Sequence, residues 1–174
     1  MKRYLYILLL IIFVIALNVT NIIFVDESGI NAYYQREYAR AKRGVRVQDT
    51  KRGKRYRRTN VIAGLWGKKH IAVQCYEHAT TSAFFEDWFE FELLGLIPQN
   101  SLVIMDNASF HRKKQLSKIA ARHGVNLLFL PTYSPDYNPI EKSWANLKKW
   151  LCDNLRRFPN IQWAVECYFS SCHC

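Results

Sequence analysis

Hydrophobic and polar positions alternate along this chain in blocks whose period changes from two to about 3.6. "NIIFVDES" (21–28) is a β-branched run that ends in acid, the pattern of a buried central strand. Gly29 breaks it. Residues 31–58 are polar and basic and predict a connection or an irregular hairpin. "NVIAGLWG" (60–67) and "HIAVQCYE" (70–77) predict two strands joined through Gly67-Lys68-Lys69 as a hairpin. Thr80, Thr81 or Ser82 can cap a helix through "SAFFEDWFEFELLGLI". In it, helical spacing puts Phe84, Trp88 and Phe91 on one buried face, widened by Phe85 and Phe89. "SLVIMDNAS" (101–109) is the next strand and also ends in aspartate. A helix follows through "RKKQLSKIAARHG", stopped by Gly124, and then a buried strand "VNLLFLP" (125–131). Last comes a helix from Asn138 to about Asn154, with Ile140, Trp144, Leu147 and Leu151 on its apolar face. The order β, β, β, α, β, α, β, α predicts an α/β fold with helices packed on a sheet.

The N-terminus departs from this pattern. Lys2 and Arg3 precede an unbroken apolar run, Tyr4 to Leu17. Fourteen residues are short for a membrane helix, which needs about 20. They suit the apolar core of a signal peptide, yet no small-x-small cleavage site follows Leu17. The favoured expectation is the soluble start of a truncated chain, packed on the fold or on a missing partner segment; a signal segment, or a membrane segment through residues 4–25, is the alternative.

Composition narrows the partners. The 174 residues carry a net charge of +11, which favours a polyanion. Most of that charge is local. From Arg36 to Arg58 eleven Lys or Arg face only Glu37 and Asp49, a local balance of +9. Its densest part supplies the candidate DNA contacts, Lys51, Arg52, Lys54, Arg55, Arg57 and Arg58. Such a run grips phosphates without reading bases; the plainer alternative is a solvated loop. The five cysteines give no disulfide framework. The tail "CYFSSCHC" has no second pair at zinc-finger spacing, so an irregular, reduced tail is expected there.

Three acids stand out. Asp26 and Asp106 close two predicted strands, where a carboxylate can face a shared crevice. Glu141 opens the last helix. Clustered carboxylates repel unless cations neutralise them. An all-oxygen site with open positions suits Mg²⁺, and two such ions can clamp a phosphodiester. Each acid also has a local role. Strand-end aspartates often serve turns, and Asn138-x-x-Glu141 has capping-box spacing with Pro139 at the first helical position. Asp136 suits an Asx-turn in its proline-rich loop. Glu27 should point to the sheet face opposite Asp26.

"FVDESG", "VIMDNASFH" and "LPTYSPDYNPIEKSWANLKKWL" resemble the catalytic core of bacterial insertion-sequence transposases of the mariner superfamily. "REYARAKRGVRV" and "RRTNVIAGLWG" also look like that family, and the resemblance covers about residues 21–155. It implies an RNase H-like fold with a mixed five-stranded sheet. It also implies an acidic triad falling on Asp26, Asp106 and Glu141, which bind Mg²⁺ or Mn²⁺, two ions in all. Thirty-four residues separate the last two acids, similar to the family's spacing. Asn107 and His111 match the same motif. The implied activity is metal-dependent DNA cleavage by water, then strand transfer by the freed 3′-hydroxyl. The implied partners are element ends and target DNA, engaged by a homo-oligomer in the cytoplasm, at the nucleoid. Only 25 residues precede Asp26, and they are apolar, so a truncated catalytic half lacking the family's helix-turn-helix part is expected, from a split, frameshifted or decayed gene, with a separately encoded helix-turn-helix half as a partner in the split case. Residues 1–20 then form an apolar leader, 21–155 the catalytic domain and 156–174 a tail. A catalytically silent nucleic-acid-binding remnant and a small membrane-anchored protein are the competing readings.

Overall fold

A computed structural model describes residues 19, 21–31, 58–131 and 137–171. Five strands form one mixed sheet: β1 Asn21–Asn31, β2 Arg58–Trp66, β3 Lys69–Tyr76, β4 Ser101–Met105 and β5 Asn126–Phe129. Their order across the sheet is β3-β2-β1-β4-β5. β1 runs antiparallel to β2 and parallel to β4, and β4 and β5 are parallel. β4 at the interior is buried at every position, as its unbroken apolar sequence requires. The β2–β3 hairpin closes with Trp66 opposite Lys69. Its loop is therefore Gly67-Lys68, one residue shorter than expected, and Gly67 takes φ +62°, open to glycine without steric cost.

Two layers of helix cover the sheet. On one face lie α1 (Ser82–Asp87) with its continuation and α2 (Lys113–Arg122). They bury Ile23, Val25, Ile62, Val103 and Met105 against Phe85, Trp88, Phe89, Leu93, Leu116 and Ile119. On the other face lie α3 (Ile140–Asn154) and α4 (Ile161–Ser171). They bury Ile30, Val61, Ala63 and Leu65 against Ile140, Trp144, Leu147, Leu151, Ala164, Val165 and Phe169. The four apolar positions expected on α3 are all buried.

Thr81 caps α1 by accepting from the Phe84 amide at 3.2 Å. After Asp87 the helix widens into a π-turn, Trp88–Leu93, then tightens at Leu94–Leu96. That widening corrects one expectation. The i→i+5 step turns Phe91 outward, 72% exposed, and brings Leu93 into the core instead. The Trp88 indole donates to the Ala72 carbonyl at 2.9 Å, at the register shift between β2 and β3.

The expected irregular tail is helical as far as Ser171. Asn160 Oδ1 accepts from the Trp163 amide at 2.9 Å, and Ile161, Ala164, Val165 and Phe169 complete the second core. Residues 172–174, with Cys172 and Cys174, lie outside the described residues, as do the apolar run 4–17 and Asp136. Residues 21–25, the end of the alternative membrane segment, belong to β1. Among the described residues no helix is long and apolar enough to cross a membrane.

Candidate active site

Strand alternation separates Asp26 from Glu27. Asp26 faces α3, and its Oδ2 accepts a buried 2.9 Å hydrogen bond from the Trp144 indole. Glu27 faces the α1 side, with Oε1 3.7 Å from His111 Nε2. β4 runs parallel beside β1 and stops at Met105, opposite Val25. Asp106 therefore emerges at the sheet edge next to the strand that carries Asp26. There its Oδ1 accepts from the Ala108 amide at 3.1 Å, an Asx-turn that bends the chain toward His111.

Asn138 ties the start of α3 to the same place. Its side-chain amide donates to the Val25 carbonyl at 3.2 Å. The capping-box alternative is thereby displaced: no side-chain cap bond forms, and Pro139 stands just before the first helical residue. Glu141 N instead reaches the Asn138 backbone carbonyl at 3.2 Å. The Glu141 side chain is left exposed in the first turn, one turn before Trp144.

Electrostatics links the three acids. Burial pushes the Asp26 carboxyl up from 3.8 to about 8, reinforced by the negative charges of Glu141, Glu27 and Asp106, while the Trp144 hydrogen bond works against the rise. Asp26 is thus a desolvated carboxylate with three like charges around it. Glu27 is also raised, by burial first, with His111 opposing. Among the described residues no three His, Cys, Asp or Glu side chains are arranged to hold one ion. The donor set is nevertheless all oxygen and partly open. Asp26 has one oxygen beyond the indole bond, the Asp106 side chain is half exposed, and Glu141 is exposed. Such donors fit a hard divalent cation, and the mutual repulsion raising Asp26 is what that cation would relieve.

Around this trio sit His111 and Asn107, which match the motif quoted above, together with Arg112, Glu86 and Trp144, to which the sequence assigned no part in the site. His111 is buried, with Nδ1 3.2 Å from the Asp106 carbonyl and 3.3 Å from Asp106 Oδ1. Arg112 next to it grips Glu86 of α1 through two hydrogen bonds, one of 2.7 Å, and so braces the loop after Asp106. Asn107 is half-buried in that loop. Trp144 follows Glu141 by three residues, helical spacing that puts both on neighbouring surface, and this was the available signal. Of the basic candidates, only Arg58 is described; it is exposed at the start of β2 beside Gly29. Lys51, Arg52, Lys54, Arg55 and Arg57 lie outside the described residues.

The model of the DDE superfamily endonuclease family matches the chain over residues 21–162. Among solved structures, the Mos1 Strand Transfer Complex matches with a TM-score of 0.68 at 18% identity, over 86% of this chain and 45% of that one. The catalytic domain of Mos1 mariner transposase matches at 0.56 and 13%, over 86% and 68%. The HTLV-2 integrase catalytic core domain in complex with magnesium matches at 0.55 and 12%, over 85% and 81%. These likenesses show an RNase H-like fold. The chain spans less than half the length of the Mos1 chain in the paired-end, pre-cleavage and strand-transfer complexes. No curated protein sequence matches it.

Proposed function

This chain belongs to the DDE superfamily endonucleases, and from that premise we propose that it is the catalytic domain of a DNA transposase. Its reaction is hydrolysis of a phosphodiester at an element end, followed by transesterification into target DNA. In the first step a water oxygen bonds to phosphorus and a 3′-hydroxyl leaves. In the second that hydroxyl attacks a target phosphodiester, so a new P–O bond replaces the one broken.

The observation that carries this reading is geometric: Asp106 follows Met105, which pairs with Val25 beside Asp26, and the helix that opens with Glu141 is hydrogen-bonded to Val25 and Asp26 through Asn138 and Trp144. Burial and the charges of Glu141, Glu27 and Asp106 push the Asp26 carboxyl up to about 8. Desolvating an acid among other acids opposes stability, and a site for cations gives a reason for it. Asp26, Asp106 and Glu141 would hold Mg²⁺ or Mn²⁺, two ions. When bound, these supply Lewis-acid polarisation of the phosphate and activation of water. The protein's own part is positional. Trp144 fixes one Asp26 oxygen, Asn138 ties α3 to β1, and the Arg112–Glu86 pair steadies the loop after Asp106.

The partner is DNA, the element ends and the target. Lys51, Arg52, Lys54, Arg55, Arg57 and Arg58 hold the phosphate backbone, in a homo-oligomer assembled on the DNA at the nucleoid of the cytoplasm. End recognition belongs to a helix-turn-helix part of the transposase. Support for a DNA partner comes from the net charge of +11 and its concentration between Arg36 and Arg58.

The test is nicking of supercoiled plasmid by the full chain under Mg²⁺ and Mn²⁺ titration, with Asp26→Asn, Asp106→Asn and Glu141→Gln alongside. The expected result is nicking that needs the divalent ion and all three acids. Nicking without a divalent ion, or unchanged in all three variants, overturns the reading.

A further inference from the structure

Glu27 has no part in the trio, and its surroundings do not suit an idle surface acid. Its carboxyl is mostly buried, and Oε1 lies 3.7 Å from Nε2 of His111, a ring itself 1% exposed. That separation is too long for a direct hydrogen bond. Among the described residues neither Glu27 Oε1 nor His111 Nε2 has a hydrogen-bond partner. The ring is packed by Phe85, with centroids 4.3 Å apart, by Phe110 at 4.5 Å and by Phe129 at 6.4 Å. Burying two polar groups among aromatics is costly, and an apolar pair of the same shape would fit this place better on stability alone.

We propose that Glu27 is a positioning residue for Asp106, acting through the His111 ring from the opposite face of the sheet. The inference rests on the DDE reading, in which Asp106 holds a divalent ion. The imidazole has two orientations related by a half-turn about its last side-chain torsion. One presents Nδ1 and Nε2 to its neighbours; the other presents carbon atoms in their place. Nδ1 faces both the Asp106 carbonyl and Oδ1. With one proton shared between the Glu27 carboxyl and Nε2, nitrogen is favoured there over C–H, and the orientation selected is the one that offers Asp106 an Nδ1–H. The Ala108 amide approaches the same Oδ1 at 3.1 Å. Oδ1 then accepts from the Ala108 amide and lies 3.3 Å from the Nδ1 that hydrogen-bonds the Asp106 carbonyl, so the carboxylate plane is set before an ion arrives. Carboxylates that ligate metals depend on such outer partners.

The test uses the full chain with ¹⁵N-labelled histidine, and Mn²⁺ binding followed by titration calorimetry. In the parent protein His111 should show a single Nδ1 environment. Glu27→Leu should leave melting unchanged or raised, mix the His111 signals, and weaken Mn²⁺ binding by about tenfold or more. Glu27→Gln still offers a polar group to Nε2 and should restore binding to within about twofold of the parent. His111→Phe fills the aromatic cage without a nitrogen and should weaken Mn²⁺ binding as Glu27→Leu does. It decides the question should the Leu variant fail to fold. Asp106→Asn separates the two levels. If it binds Mn²⁺ as tightly as the parent, the DDE reading falls. If it loses Mn²⁺ while Glu27→Leu or His111→Phe binds normally, the positioning role alone is overturned.

Discussion

Asp26→Asn should stabilise the metal-free protein at alkaline pH, although it removes a residue placed at the centre of the site. The folded-state carboxyl lies at about 8 against an ordinary 3.8. A raised acid makes the folded state bind more protons than the unfolded chain between those values. Stability is therefore fully present below about pH 4, falls as pH rises toward 8, and levels off above it. Moving the carboxyl from 3.8 to about 8 sets a ceiling on the order of 5 kcal/mol, at about 1.4 kcal/mol per tenfold change in proton affinity. That is comparable with the whole stability of many domains, about 5–15 kcal/mol. Asparagine carries no charge to desolvate, and its carbonyl oxygen can still accept the Trp144 indole hydrogen bond. At pH 5 the gap should shrink to about 1–2 kcal/mol, because the unfolded carboxyl is already ionised there while the folded one is neutral, and it should close below about pH 4. At pH 8.5 the variant should melt several degrees higher, about 2–4 °C for each kcal/mol in a chain of this size. Mn²⁺ should narrow that gap by stabilising the parent alone. Melting curves at the two pH values, with chelator and with Mn²⁺, measure all of this. A variant less stable than the parent at pH 8.5 in chelator, or a gap independent of pH, refutes the reasoning.

Three other outcomes follow from the same structure. Glu141→Gln should melt within about 0.5 kcal/mol of the parent, as an exposed residue outside any cap bond does. It should still abolish divalent-dependent nicking, because a neutral amide is a poor Mg²⁺ ligand; full nicking by a stable variant removes Glu141 from the site. Trp144→Phe keeps much of the packing but leaves Asp26 Oδ2 without its donor, at a cost of about 1–3 kcal/mol near pH 8 in urea unfolding. The same change should move the alkaline fall in stability to higher pH, since the indole bond opposes the rise in the Asp26 pKa. Neutralising Lys51, Arg52, Lys54, Arg55, Arg57 and Arg58 together should flatten the salt dependence of DNA binding, by up to about 0.9 in log–log slope for each phosphate no longer neutralised; an unchanged slope makes the run a solvated loop.

Strand and helix order was legible because each element's apolar period matches one layer of the fold. The misses have local causes. A period of 3.6 assigns Phe91 to the core, and the π-turn at Trp88–Leu93 changes the period there. Nothing in "WFEFEL" announces an i→i+5 step before Leu93 and the Ala72 carbonyl are seen in place. The last helix is hidden differently. "NIQWAVECYFSS" carries an N-cap asparagine and apolar residues at 161, 164, 165 and 169, a readable pattern, but Cys167 with Cys172 and Cys174 after it points toward metal and tail. Alternation rightly sends Glu27 to the opposite face, yet alternation says nothing of His111, which comes from beyond β4.

The proline-rich approach to Glu141 shows where sequence reasoning reaches its limit. Asn138-x-x-Glu141 fits a capping box, which would have made both residues local. The box needs the Asn138 side chain to turn back on its own helix. Here it donates to Val25 instead, 113 residues earlier in the chain. Six residues on from Asn138, Trp144 donates to Asp26, the neighbour of Val25. α3 is thus stitched to adjacent residues of β1 on both sides of Glu141, while Ile140 and Leu147 pack beneath it. Two points fix both the position and the rotation of a helix turn; one cap fixes neither relative to a sheet. The placement of Glu141 beside Asp26 is therefore a tertiary property, made by two side chains whose partners no local pattern names.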